Sequence, residues 1–206
     1  MMSPEVSFEM KLHGFLLWAS VGFLMPVSIL IKRISNRQES SEAMLRIIFY
    51  VHAITQMFSV LLATVGAVMS IKFFDNSFNN DHQKIGIAFY IIMWLQALIG
   101  IFRPQRESKA RSVWFRVHFI MGISVSLLGV INIYTGLQAY SKRTSKNIRV
   151  WTIIFTVQIS LILFCYLLQE KRQYIQQQGA SLGKRPARHT DREEVSKVPA
   201  EINYII

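Results

Sequence analysis

The chain has 206 residues, 51% of them hydrophobic, with a formal net charge of +11 and a mean hydropathy of +0.30. Runs of about 20 residues almost free of charge exclude an ordinary soluble domain. Such runs span a bilayer core of about 30 Å, and lipid offers backbone groups no partners except within a helix or a closed barrel. The basic residues flank these runs and crowd the C-terminal tail, as in loops facing anionic lipid, so membrane lipid is the expected partner and nucleic acid is not.

The first apolar run covers 12–31, with His13 in its opening turn and Pro26 towards its end, where a kink is expected. The residues ahead of it, 1–11, carry two glutamates and one lysine, unlike the basic n-region of a cleaved signal, and cleavage within the run would strand His13. The second run, 45–71, carries His52 about two turns in. The third, 84–102, is preceded by His82, and the fourth, 113–137, carries His118. The fifth, 150–168, holds Cys165, the single cysteine, so no intrachain disulfide is available and thiols say nothing of redox compartment. The tail 171–206 is rich in glutamine and basic residues and lacks apolar periodicity; it reads as a disordered cytoplasmic tail, with His189 no ligand.

Lysines and arginines set the orientation. Sixteen lie in the loops 1–2 and 3–4, just inside the fourth run (Arg116) and in the tail, against seven on the other side. This places residues 1–11 outside and the tail in the cytoplasm, although the basic loop between the fourth and fifth runs argues the other way. His13 and His82 then share an outer level. His52 and His118 both lie roughly 8–10 Å in from the inner face at 1.5 Å per residue, which leaves the two levels roughly 20 Å apart in a core of about 30 Å. Four imidazoles divided in this way cannot close a single tetrahedral zinc site. They suit two buried haems, with His13 and His82 as axial ligands of one and His52 and His118 of the other. No C-x-x-C-H motif is present, so the haems are expected to be held non-covalently, as haem b.

The faces bearing the histidines agree. Offsets of 4, 7, 11, 14 and 18 lie along one helical stripe. From His52 these are Gln56, Ser59, Ala63, Gly66 and Ser70. From His82 they are Gly86, Phe89, Met93, Gln96 and Gly100, and from His118 they are Gly122, Val125, Gly129, Asn132 and Gly136. Small and polar residues gather there, and Gly86 and Gly122 sit one turn past a histidine, where a flat porphyrin needs clearance. From His13 the stripe, Leu17, Ser20, Leu24 and Val27, is mostly apolar. Iron with imidazole on both sides has no open position for oxygen and serves electron transfer. The competing reading of intramembrane histidines is a haem-free transporter with a proton relay.

Four segments carry a resemblance to a known family: LHGFLLWASVGFLMPVSILIKR (12–33), FYVHAITQMFSVLLATVG (49–66), HQKIGIAFYIIMWLQALIGIFRP (82–104) and WFRVHFIMGISVSLLGVINIYTGL (114–137). The chain resembles the cytochrome b561 family, in particular the transmembrane half of its plant DOMON-linked members, over residues 8 to 170. The resemblance implies an all-α membrane protein, a five-transmembrane-helix bundle with a four-helix di-haem core occupying 12–170. It implies two haem b on the four histidines, a homodimer, and a trans-membrane oxidoreductase that takes electrons from cytoplasmic ascorbate and delivers them to monodehydroascorbate or ferric iron. It also implies a multi-pass protein of plasma membrane or endomembrane. No DOMON segment stands ahead of the first span in this sequence, and a partner supplying one is open. Lys84 and the arginines near His118 are candidates for ascorbate on charge alone; interfacial anchoring is the plainer reading of each.

Overall fold

A computed structural model describes residues 4–34, 41–74, 77–105 and 107–183, and these form a helical bundle. Helix α1 (Pro4–Leu17) passes through a π-helical segment, Trp18–Leu24, into α2 (Met25–Ile34), and the three make one span. Helices α3 (Glu42–Phe73), α4 (Asp81–Ile101), α5 (Ala110–Thr144) and α6 (Arg149–Gly183) follow. Five stretches are long and apolar enough to cross a membrane, the first of them Glu5–Arg33. Large apolar side chains point outward along all five, among them Phe15, Ile54, Ile91, Ile120 and Leu161. Water would penalise that surface; hydrocarbon does not.

Local signals fix the helix ends. Ser41 caps α3 by accepting from the Met44 amide at 3.3 Å, and Asn80 caps α4 by accepting from the Gln83 amide at 2.9 Å, each meeting a donor that the first turn leaves unpaired. Helix α5 stops at Ser145, which takes the left-handed conformation (φ 55°) and donates its amide to the Ser141 carbonyl, a standard helix termination.

Where Pro26 was expected to kink the first span, the helix is π-helical over Trp18–Leu24, just ahead of the proline. Proline has no amide to offer the Gly22 carbonyl one turn back. The backbone widens instead, with the Met25 amide reaching Ser20. The Gln158 side chain of α6 donates its Nε2 to the freed Gly22 carbonyl at 2.7 Å, while the Trp18 indole donates to Gln158 Oε1 at 2.9 Å. A π turn takes in an extra residue, so every side chain beyond it slips by one position on the face. The buried residues there are Ser20, Val21, Met25 and Ser28, in place of the Leu24 and Val27 that a straight helix would bury.

The core is a short apolar layer of Val21, Met25, Val60, Ala63, Phe89, Met93 and Val125, contributed by the first four spans. In α3, α4 and α5 the buried residues Ser59, Ala63, Gly66, Phe89, Met93, Val125, Gly129 and Asn132 fall on the stripes running from the histidines, while Ile48 and Val60 of α3 are buried outside the residues named there. Close approach at Gly129 is set by Val21, which lies where a Cβ would be built. Helix α6 adds Phe155 to the buried set and otherwise lies outside the four-helix core. Residues 170–183 belong to a second compact unit and are helical, where the tail was expected to be disordered. Gln, Glu, Lys and Arg are good helix formers, so a helix persists there without an apolar face. The rest of the tail, with His189, and also Arg106 lie outside the described residues.

Candidate functional site

The four histidines gather in two pairs, one at each end of the core layer. His13 of α1 and His82 of α4 are neighbours in a T-shaped arrangement, with ring centroids 6.2 Å apart and planes at 88°. His52 of α3 and His118 of α5 lie within electrostatic reach of each other at the other end. His13 contacts Gly66 and His82 contacts Asn132. Gly66 stands fourteen residues beyond His52 on α3, and Asn132 fourteen beyond His118 on α5, so both helices separate the two levels by about 21 Å.

Three imidazoles are oriented through Nδ1. His13 lies 2.8 Å from the Gly66 carbonyl, His52 3.2 Å from the Ser28 carbonyl, and His82 3.2 Å from the Asn132 carbonyl. A carbonyl only accepts, so in each ring Nδ1 carries the proton and Nε2 presents its lone pair, the arrangement a metal-ligating histidine uses. The Ser28 hydroxyl also lies 3.0 Å from His52 Nδ1 and donates to the His52 carbonyl. His118 differs: its ring stacks on the Trp114 indole, centroids 5.1 Å apart, and its buried Nδ1 has no hydrogen-bond partner.

The geometry of the first pair fits a single ion between two rings. A metal about 2.0–2.1 Å from each ring nitrogen places the centroids about 6 Å apart, close to the spacing of His13 and His82. Among the described residues no three His, Cys, Asp or Glu side chains converge as a metal-holding group.

Helices α4 and α5 carry the same pattern twice, a histidine followed at offsets of 4, 14 and 18 by glycine, an amide residue and glycine: His82, Gly86, Gln96, Gly100 and His118, Gly122, Asn132, Gly136. Since the helices are antiparallel, each copy completes the other. A Cβ on Gly136 would stand 3.0 Å from His82 Cε1, and one on Gly100 would stand 3.5 Å from His118 Cε1. The Asn132 amide fills the notch at Gly86, and the Gln96 amide that at Gly122. Clearance for the rings therefore comes from Gly136 and Gly100, while Gly86 and Gly122 admit the amide side chains. The stripes contained this repeat; reading each against its own histidine hid it. Ser28 was missed for a different reason, the one-residue slip of the π turn.

At the His52 end the basic residues are held by aromatic rings. The Arg103 guanidinium lies 4.7 Å from the Phe49 ring centre and 5.9 Å from that of Trp114. Arg111 lies over Trp114 at 5.0 Å and donates to the Pro104 carbonyl at 2.7 Å. An open depression of about 430 Å³ is lined by Glu107, Ser108, Lys109, Arg111, Ser112 and Phe115. Lys84 and Arg116 are exposed.

The family described as eukaryotic cytochrome b561 matches residues 12–146. A cytochrome b561 domain-containing protein of Arabidopsis thaliana is 50% identical over 178 residues, 86% of this chain and 69% of the relative. Two cytochrome b561 and DOMON domain-containing proteins of the same plant are 28% and 31% identical, over 85% and 61% of this chain; it spans 45% and 31% of their lengths. Five apolar spans, paired intramembrane histidines and these likenesses lead to one statement: the chain is an integral membrane protein and belongs to the cytochrome b561 family, whose members bind haem b and pass electrons across membranes.

Proposed function

We propose that this chain holds two haem b, one between His13 and His82 and one between His52 and His118, and carries electrons from cytoplasmic ascorbate to an acceptor on the other side, monodehydroascorbate or ferric iron. The observation that carries the reading is the His13–His82 pair: neighbouring rings 6.2 Å apart, each with Nδ1–H given to a main-chain carbonyl. When bound, haem supplies a one-electron couple at each level. The chain's own residues do the rest. They hold the His13, His52 and His82 imidazoles in one tautomer, exclude water from the layer of Phe89, Met93 and Val125 between the levels, and gather Lys109, Arg103 and Arg111 at the entry. One electron leaves ascorbate, which becomes monodehydroascorbate as a proton is released. One electron then reduces the acceptor, for example ferric to ferrous iron.

The lysine and arginine bias puts the His52 level inside and the His13 level outside, with the tail in the cytoplasm. The exposed apolar faces suit lipid and a second copy of the chain as a homodimer. Pyridine haemochrome titration of detergent-purified protein should give close to two haems per chain. A value of zero in well-folded protein would end this reading in favour of a haem-free proton relay.

A further inference from the structure

We infer that the side-chain carbonyl of Gln96 is the acceptor that orients His118, which makes Gln96 a positioning residue for the inner site. This rests on the ligand reading above. Three of the four histidines give Nδ1–H to a main-chain carbonyl. His118 does not, and its Nδ1 is buried and unpartnered. Buried polar atoms are hydrogen-bonded in nearly all proteins, so an orphan at such a position points to a partner nearby.

Gln96 carries the matching orphan. Its Oε1 is buried without a partner, while its Nε2 donates to the His118 main-chain carbonyl at 2.9 Å. The amide is thus anchored on the turn from which the His118 ring rises. It lies in the notch of Gly122, 3.2 Å from where a Cβ would stand. A side chain larger than glycine at 122 would push it away. The terminal torsion of an imidazole is broad and cheap to turn, so a turn of the His118 ring towards Gln96 would let Nδ1–H give to Oε1 while Gln96 Nε2 keeps its bond to the His118 carbonyl.

The repeat on α4 and α5 supplies an independent argument. Gln96 occupies in one copy the position of Asn132 in the other, and Asn132 serves His82 at 3.2 Å through its main chain. Glutamine is longer than asparagine by one methylene, so its amide reaches the facing turn. The outer pair is therefore oriented mainly by main-chain carbonyls, which substitution does not remove, with the Thr135 hydroxyl 3.5 Å from His82 Nδ1 beside them. The inner pair depends in part on a side chain, which substitution does remove.

A hydrogen bond accepted from Nδ1–H raises the basicity of the ligating nitrogen and favours ferric over ferrous iron. The test uses purified holoprotein with the two redox components resolved by potentiometric titration, and haem retention measured for each. In Gln96→Leu the inner component should lose haem about tenfold more readily. Its reduction equilibrium should move about tenfold towards the ferrous form, about 59 mV for one electron. Gln96→Glu keeps an acceptor, so it should restore retention and move the equilibrium the opposite way, with the outer component unchanged in both variants. Inner components like wild type in both variants would overturn the inference, as would equal loss of inner haem in both, the signature of packing alone. A wild-type protein without haem would instead refute the ligand reading itself.

Discussion

Adding one methyl group at Gly136 should damage the outer site, while the same change at Gly100 should leave the inner site nearly untouched. In Gly136→Ala the new Cβ stands 3.0 Å from Cε1 and 3.2 Å from Nδ1 of His82, tighter than most side-chain contacts, so the ring must give by a few tenths of an ångström. Its hydrogen bond to the Asn132 carbonyl is already 3.2 Å long, at the outer limit of useful geometry, and the displacement lengthens it further. Overpacking of this kind costs about 1–3 kcal/mol, and the weakened hydrogen bond about 1 kcal/mol more. Replacing glycine by alanine in a helix interior returns about 1 kcal/mol. The balance, about 1–3 kcal/mol, corresponds to a loss of haem affinity of roughly 5- to 150-fold at the outer level. At Gly100 the new Cβ meets His118 Cε1 at 3.5 Å, an ordinary contact, so affinity there should stay within about twofold, because no group has to move. The assay is haem retention of each spectral component after dilution into detergent containing a haem scavenger. Equal losses in the two variants, or a silent Gly136→Ala, would refute the seating of these rings on these glycines.

The other predictions concern the pairing, the π turn and the entry. His13→Ala and His82→Ala should empty one haem component, and His52→Ala and His118→Ala the other, as read from reduced-minus-oxidised spectra; loss of the same component from His13→Ala and His118→Ala would contradict the pairing. Pro26→Ala supplies an amide for the Gly22 carbonyl in competition with Gln158, so the π turn should close to an α turn and carry Ser28 away from His52. The inner component should then be held about tenfold more weakly and the outer one retained, whereas uniform loss would mean general unfolding. Neutralising Arg111 and Arg116 together should slow reduction by ascorbate at low ionic strength with an unchanged spectrum, and the difference should shrink as salt shortens the Debye length below about 10 Å; an unaltered rate would move attention to Lys84 and an outer entry.

Much of the fold was legible because a bilayer leaves few alternatives. Length and hydropathy place all five spans, and in α3, α4 and α5 the 3.6-residue period marks the inward face by its small residues. The same reasoning failed in the first span, since it assumed one period throughout. Of the expected stripe only Ser20 is buried; beyond the π turn the buried residues are Met25 and Ser28, each one position later than expected. Pro26 was the visible cue, but proline alone does not say how the backbone will relieve the missing bond. That outcome depends on Gln158, an uncharged polar residue 136 positions beyond Gly22 along the chain, whose amide meets the freed Gly22 carbonyl.

The site shows a second limit of reading helices singly. Each stripe from a histidine names the residues that share its own helix face, yet the groups that orient or seat the rings come, Trp114 excepted, from other helices. His13 depends on Gly66, His52 on Ser28, His82 on Asn132 and Gly136, and His118 on Gly100 and Trp114, of which Trp114 alone lies on the histidine's own helix and stacks rather than orients. The offset of 18 residues that returns to a histidine's stripe is about 27 Å along a helix, close to the thickness of the hydrocarbon core. In an antiparallel pair, the glycine at that offset therefore arrives beside the partner's histidine at the opposite membrane face. One sequence pattern used twice on α4 and α5 builds half of each site, and the bilayer thickness fixes its length.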